Sequence, residues 1–170
     1  MPNARKVAFP VESQLHRDLD QAFYSDAFEA DLIDKSLSPV DIATRALVST
    51  PRWVDGLVNL RDHIASLFGL KTVGRLRLSE SDRALKEPAV GDAFSIFRVV
   101  FLDSSELVLG IDDTHLNVRM SFLKRSSDSR ASYVVSSWVK THNLLGRFYM
   151  LPVAPVHRVL VKLMMLGVPM

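Results

Sequence analysis

The chain has 170 residues, of which 48% are hydrophobic and 24% charged, so it is long enough to bury a core as one globular domain and is not typical of disordered or fibrous proteins. Its net charge of +2 comes from basic residues scattered along the chain, which argues against nucleic-acid binding. The absence of cysteine excludes disulfides, thiolate metal sites and cysteine nucleophiles. Because no signal peptide or apolar run of roughly 18–20 residues is recognisable, we expect a cytoplasmic protein without a membrane span.

An N-terminal arm, a strand and two helices are predicted in the first part of the chain. Residues 1–22 mix polar and apolar side chains and are interpreted as the arm. Over residues 23–32 the two kinds of side chain alternate, as in a strand with one face exposed to water. A serine at Ser38, followed by proline and aspartate, predicts the start of a first helix that ends near residue 48, and a second helix is predicted over residues 51–69.

A mobile loop and an antiparallel sheet are predicted in the middle of the chain. Residues 79–92 are charged and poor in large apolar side chains, which is typical of a surface loop. The segments around it are rich in β-branched and aromatic residues and are separated by short turns, which favours antiparallel neighbours. The predicted strands cover residues 71–78, 93–102, 106–112, 115–124 and 131–142. The segment 93–102 is apolar on both sides and is therefore predicted to be a central strand.

The last segment, residues 143–167, is predicted to be a helix that lies on the sheet. Apolar residues recur in it at intervals of three and four, and Asn143 is a natural N-cap. Pro152 and Pro155 each remove a backbone donor, so we expect a kinked helix rather than a broken one. The order of strand, two helices, strands and closing helix predicts a single α+β domain over residues 1–170 with the helix-grip architecture, in which a curved antiparallel sheet wraps a long C-terminal helix.

Several short segments of the chain together resemble a known family. They are residues 24–28, 50–54, 60–61, 68–71, 109–116, 139–143, 146–149 and 155–158. The family they resemble is DUF2867, a bacterial family of unknown function. The family is usually grouped with polyketide cyclases and START-like lipid carriers in the SRPBCC superfamily. The resemblance spans residues 24–166 in order and implies the same helix-grip fold. It implies no catalytic residues and no cofactor.

A curved sheet that holds a long helix tends to enclose an apolar space, and we expect that space to bind a hydrophobic or amphipathic small molecule. Methionine and aromatic side chains suit the adaptable walls of such a cavity. The residues predicted to line it are Phe97, Val99, Leu116, Val118, Met120, Phe122, Phe148, Tyr149, His157 and Val159.

Asp113 and three histidines are the polar candidates for chemistry. Asp113 and His115 fall on one strand face, where they either begin a metal site or bond to each other and to the hairpin backbone. A third metal ligand would have to come from His142 or His157, and no spacing requires it, so no metal is expected. His142 lies where the last strand meets the last helix and either bonds that turn or lines the mouth of the cavity.

Two arginines interrupt strands that are otherwise largely apolar. A guanidinium that faced the core would need a carboxylate from the protein or from its ligand. Arg119 lies opposite the apolar set of its strand and is predicted on the outer face, whereas the sequence leaves the face of Arg98 open.

Three functions are compatible with this architecture. The first is a binding module for a hydrophobic or amphipathic small molecule. The second is a cyclase- or dehydratase-type enzyme that uses the same cavity, with Asp113, His115, Tyr149 or His157 moving a proton. The third is a structural or interaction role, which includes a homodimer.

Overall fold

An antiparallel sheet carries helices on one face and the N-terminal arm on the other. The computed structural model describes residues 4–56, 59, 88–126 and 130–168. Seven strands lie within these ranges: β1 (Arg5–Lys6), β2 (Tyr24–Asp31), β3 (Ala93–Phe94), β4 (Phe97–Leu102), β5 (Glu106–Asp112), β6 (Leu116–Ser126) and β7 (Ala131–Thr141). Their order across the curved sheet is β1-β2-β7-β6-β5-β4-β3, so the first long strand pairs with the last.

Within the described residues, two long helices pack on one face of the sheet, hereafter the helix face. Helix α1 (Pro39–Val48) begins as predicted, because the Ser38 hydroxyl accepts a hydrogen bond from the Asp41 backbone and the Asp41 carboxylate accepts one from the Ser38 backbone. The C-terminal helix (Leu144–Leu166) is capped by Asn143, as predicted, and continues through both of its prolines. Helix α1 packs over β5 and β6, and the C-terminal helix packs over β2 and β7.

The main core lies between the helix face and these two helices. Alternate strand residues point into it, and the helices contribute residues three and four positions apart. Its most completely buried large side chains include Phe28, Leu107, Leu109, Phe122, Tyr133, Ile42, Leu47 and Met165. Removing each such side chain from water stabilises the fold by roughly 1.5–3 kcal/mol before the entropy of folding is counted. The buried Tyr133 hydroxyl donates a hydrogen bond of 2.8 Å to the Met165 carbonyl, so it carries no unsatisfied polar group into the core.

The N-terminal arm covers the opposite, outer face of the sheet. After β1 it forms a 3-10 helix (Gln14–Gln21), whose Leu15 packs against Val108 and Trp138. The arm also brings a hydroxyl and a backbone N–H to the buried Glu106 carboxylate. The Ser13 hydroxyl donates to it at 2.5 Å and the Gln14 backbone at 2.9 Å, and Ser121 donates a third bond from the sheet at 2.5 Å.

Part of the prediction falls outside the described residues. Residues 53–56 are helical, as the second predicted helix requires, but most of that helix is not described. The predicted strand 71–78 and residues 79–87 of the predicted loop lie outside the described ranges as well.

The prediction of one continuous strand over residues 93–102 is wrong. The segment is a hairpin of β3 and β4 that ends the order of the seven described strands, and the chain turns at Ser95, which has a φ of 59°. Such a φ is uncommon for a residue other than glycine, and an apolar sequence gives no signal for it. The segment is apolar on both sides because Phe101 packs beneath the arm on the outer face.

The predicted packing face of the C-terminal helix is also partly wrong. The buried residues are Gly146, Met150, Val161, Met164 and Met165, whereas Phe148 and Val159 are exposed. Both sides of this helix are apolar, so spacing alone leaves its rotation open. Gly146 helps to set that rotation, because a Cβ there would lie 2.3 Å from the His115 carbonyl oxygen and only glycine permits so close an approach.

Candidate functional site

Polar side chains interrupt the apolar interface between the sheet and the C-terminal helix. Asp26 of β2 and Ser137 of β7 are direct partners in the sheet register, and His157 lies opposite them on the helix. Asp26 is 4% exposed and Ser137 1% exposed, which is unusual for polar residues. We call Tyr24, Asp26, Ser137 and His157 the polar layer.

The polar layer lies between two apolar clusters. On one side is the main core, which includes Phe28 and Val161. On the other is a smaller cluster of Leu116, Val139 and Met150, against which Tyr24 packs. Residues two apart in a strand, or four apart in a helix, share a face. Strands β2 and β7 and the C-terminal helix therefore each place a polar residue on the buried face, between the two apolar clusters.

Tyr24 and His157 both approach one oxygen of the Asp26 carboxylate. The Tyr24 hydroxyl donates a hydrogen bond to Oδ2. His157 Nδ1 lies 3.8 Å from the same oxygen, which is too long for a hydrogen bond but within ion-pair distance. The Tyr24 and His157 rings meet edge-on with their centres 6.1 Å apart, so the two side chains also hold each other in place.

The surroundings fix the protonation states of Asp26 and Tyr24. Burial alone would raise the pKa of Asp26, but the neighbouring His157, Tyr24 and Ser137 side chains outweigh it and hold the pKa below its usual value. Burial, assisted by the Asp26 carboxylate, raises the pKa of Tyr24 to about 12. At neutral pH the layer therefore contains an anionic acceptor and a protonated phenol.

Three buried polar atoms of the layer have no hydrogen-bond partner within the described part of the chain. They are Asp26 Oδ1, Ser137 Oγ and His157 Nδ1. Buried polar atoms in folded proteins are nearly always hydrogen-bonded, and an unmade bond costs about 1–3 kcal/mol. The layer therefore has the capacity to bind one more polar group.

The ten residues predicted to line a cavity divide into three groups. His157 belongs to the polar layer. Six others are buried or half-buried within the apolar interior: Phe97, Val99, Leu116, Val118, Met120 and Phe122. The remaining three, Phe148, Tyr149 and Val159, lie on the exposed side of the C-terminal helix and do not line the interface with the sheet.

The predicted polar candidates around the β5–β6 turn make local contacts. Asp113 bonds to the backbone of its turn, as predicted: its carboxylate accepts a hydrogen bond from the next N–H, and its own N–H donates to the Leu116 carbonyl. His115 does not pair with it; instead, His115 Nδ1 lies 2.7 Å from the side-chain nitrogen of Asn143, the helix cap. His142 Nε2 lies 3.0 Å from Asn117 Oδ1. Among the described residues, no three His, Asp or Glu side chains come together as metal ligands would.

Both arginines lie on the side of the sheet away from the helices. Arg98, whose face the sequence left open, is exposed and donates to the Gly91 carbonyl. Arg119 is on the outer face as predicted, where it pairs with Asp112 at 2.7 Å. Its side chain crosses Gly110, where a Cβ would lie 2.9 Å from the guanidinium.

A pocket that the sequence did not predict lies on the outer face. It has a volume of about 360 Å³ and is lined by Gln14, Leu15, Arg17, Asp18, Val100, Phe101, Val108, Arg119 and Trp138. The Trp138 indole already donates to the Asp18 carbonyl at 2.8 Å, and Arg119 is paired. These groups offer fewer open hydrogen bonds than the polar layer, so the polar layer is the stronger candidate site.

Residues 19–164 match the model of a family described as a protein of unknown function, DUF2867. The chain belongs to this family. The match contains every member of the polar layer and extends from the 3-10 helix almost to the end of the C-terminal helix. No curated protein and no solved structure matches the chain.

Sequence reasoning found one member of the polar layer of this DUF2867 protein and missed the others. His157 was a candidate, but its partner Asp26 was not. The signal was present, because Asp26 lies two positions before the buried Phe28 and so shares its face. Ser137 lies two positions after Val135 by the same rule. The sequence therefore shows a polar residue on the apolar face of each of two predicted strands and of the helix. Only the pairing register of β2 with β7, and the position of the helix, show that the three residues are neighbours.

Proposed function

We propose that this protein binds an amphipathic small molecule between the sheet and the C-terminal helix, with the polar end of the ligand at the polar layer. The supporting observation is a set of three buried polar atoms that have no hydrogen-bond partner among the described residues, namely Asp26 Oδ1, Ser137 Oγ and His157 Nδ1. A ligand that bonded to them would recover the free energy that the unmade bonds cost.

The chemistry of the layer favours a ligand with a hydrogen-bond donor at its polar end. Asp26 is anionic at neutral pH, and its free oxygen accepts hydrogen bonds only. A hydroxyl or an ammonium group would bond to it, whereas a carboxylate would be repelled. The adjacent cluster of Leu116, Val139 and Met150 is apolar and would contact the rest of the molecule.

Thermal-shift measurements with three ten-carbon probes test this proposal. Decanol and decylamine are expected to raise the melting temperature more than decanoate does, because only the first two donate to Asp26. Asp26→Asn should remove the preference for decylamine over decanoate, since it removes the negative charge.

The matched control is Asp31→Asn, which changes the same residue type on the same strand, where Asp31 is exposed and paired with Arg130. It should retain the wild-type preference. A larger shift with decanoate, or no shift with any probe, would contradict the proposal. Native mass spectrometry of the purified protein would then identify a ligand that copurifies with it.

A proton-transfer enzyme is the second candidate, and the approach of His157 and Tyr24 to one carboxylate oxygen favours it. Of the residues predicted for this role, His157 belongs to the polar layer, whereas Asp113 and His115 make local contacts and Tyr149 is exposed. Turnover of a bound ligand that His157→Asn abolishes without reducing binding would support the enzyme. Unchanged ligand after incubation would support binding alone.

We also propose that the sheet and C-terminal helix form a helix-grip fold of the START-like type. The pairing of the first long strand with the last, and the return of the closing helix across both, support that assignment. The same curved sheet and closing helix would enclose the ligand.

A further inference from the structure

The C-terminal helix presents a second apolar face, directed away from the sheet. Its large side chains recur at helical spacing over residues 144–166, and Leu144, Phe148 and Leu151 are each about two-thirds exposed, at 68, 66 and 66%. At 1.5 Å per residue this face is roughly 33 Å long. Continuous exposed apolar surfaces of this kind mark interaction sites.

Basic side chains line one edge of this apolar face. Arg147, Arg158 and Lys162 are all exposed, and the helix contains no aspartate or glutamate. Each cation also lies over an aromatic ring of the same polypeptide, either in β2 or directly before it. The distances to the ring centres are 5.8 Å from Arg147 to Phe23, 5.7 Å from Arg158 to Tyr24 and 5.3 Å from Lys162 to Phe28. These contacts hold the three positive charges in one row.

The charge pattern selects among the partners that would cover an apolar helix face. A second copy docked through the same face would bring its own row of cations against this one, without a carboxylate from either helix to offset them. An anionic lipid surface complements both features, because the apolar side chains enter the acyl boundary while the cations contact headgroups.

The side of the helix that packs on the sheet determines how the helix would be oriented on a partner surface. By length and composition, this is the one helix within the described ranges that would suffice to cross a membrane. Its residues Gly146, Met150 and Val161, however, pack on the sheet and on α1. The helix therefore presents its length, and not its end, to a surface.

We propose that the exposed face of the C-terminal helix docks this protein on anionic lipid bilayers, with the helix parallel to the membrane plane. The proposal is independent of the ligand site.

Co-sedimentation with vesicles tests the docking. Wild-type protein is expected to bind phosphatidylcholine vesicles that contain phosphatidylserine, and to bind pure phosphatidylcholine vesicles about tenfold or more weakly, given the attraction of each basic residue to an anionic surface. The combined change Phe148→Ser and Leu151→Ser should abolish binding. The matched control is Val11→Ser with Ile33→Ser, which are exposed at 75 and 71% but lie elsewhere, and it should bind as wild type does.

Charge and accessibility supply two further readouts. Replacing Arg147, Arg158 and Lys162 by glutamine should remove the preference for anionic vesicles, whereas replacing the exposed Lys6, Arg17 and Lys35 should not. Because the chain has no cysteine, Leu151→Cys provides a single site for a polarity-sensitive fluorophore, whose emission should shift to the blue on vesicles.

Three outcomes would overturn the proposal. The first is equal vesicle binding by the Phe148/Leu151 variant and its control, or no binding by the wild type. The second is resistance of Leu151→Cys to labelling in the folded protein, which would show that the chain itself covers this face. The third is a dimer by light scattering that Phe148→Ser with Leu151→Ser dissociates, which would assign the face to a second copy.

Discussion

Two buried carboxylates, on opposite faces of the same sheet, differ in how completely their oxygens are hydrogen-bonded. Glu106 on the outer face is 2% exposed and accepts hydrogen bonds from Ser13, Gln14 and Ser121. Asp26 on the helix face is 4% exposed, but only its Oδ2 accepts a bond, from Tyr24, and its Oδ1 has no partner among the described residues.

The difference separates a structural carboxylate from a candidate binding one. Glu106 fastens the N-terminal arm to the sheet, and its bonds leave little capacity for a ligand. Asp26 lies between two apolar clusters with an open acceptor, next to a serine and a histidine that each have an atom without a hydrogen-bond partner in the described part of the chain. A buried carboxylate is a better functional candidate when its hydrogen bonds are incomplete, because a ligand can complete them.

The largest effect is expected for Glu106→Ala. The change leaves two buried hydroxyls and one backbone N–H without their acceptor, so it should lower the free energy of unfolding by about 3 kcal/mol. Urea denaturation measures the loss. The control is Glu12→Ala, which removes a partly exposed ion pair with Arg125 and should cost less than about 1 kcal/mol. Equal losses would show that Glu106 does not fasten the arm.

Much of the fold was predictable because it depends on local chemistry. Ser38 and Asn143 begin their helices through side-chain caps that sequence alone reveals, and the alternation around Phe28 predicted β2. The turn between β3 and β4 depends on a positive φ at Ser95, and the rotation of the C-terminal helix depends on a contact between Gly146 and His115. Neither of these features has a periodic signal.

The candidate site was less predictable than the fold because it is assembled across the chain. Asp26 and Ser137 are neighbours only through the pairing of β2 with β7, which are separated by more than 100 residues. His157 joins them only after the helix has adopted its rotation. Sequence patterns identify which residues share a face, but the strand register decides which polar residues on neighbouring strands lie side by side.

A smaller effect is expected for Tyr24→Phe. The change removes the one hydrogen bond that Asp26 receives in the described structure, so we expect a loss of about 1.5 kcal/mol, less than for Glu106→Ala. The control is Tyr149→Phe on the exposed side of the C-terminal helix, which should leave stability nearly unchanged. If the Tyr24 variant were as stable as this control, the phenol would not support the carboxylate.

The smallest effect is expected from acid titration of the polar layer. The pKa of Asp26 is lower in the folded protein than in the unfolded chain, where it is about 3.9, so its ionised form stabilises the fold above that pH. This contribution is lost as the pH falls through the lowered pKa. The stability advantage of the wild type over Asp26→Asn should therefore decrease as the pH falls from about 5 to about 3, by less than about 1 kcal/mol. An advantage that grows in acid would mean that the pKa is raised.

A crystal structure of the protein as purified, at pH 7, tests the ligand-binding role of the polar layer most directly. We predict electron density for an elongated molecule with a polar atom within hydrogen-bond distance of Asp26 Oδ1 and Ser137 Oγ, and with its apolar part against Val139 and Met150. Density for a single water that bonds to Asp26 Oδ1, Ser137 Oγ and His157 Nδ1, or a rotated Ser137 that closes the bond to Asp26, would contradict that role.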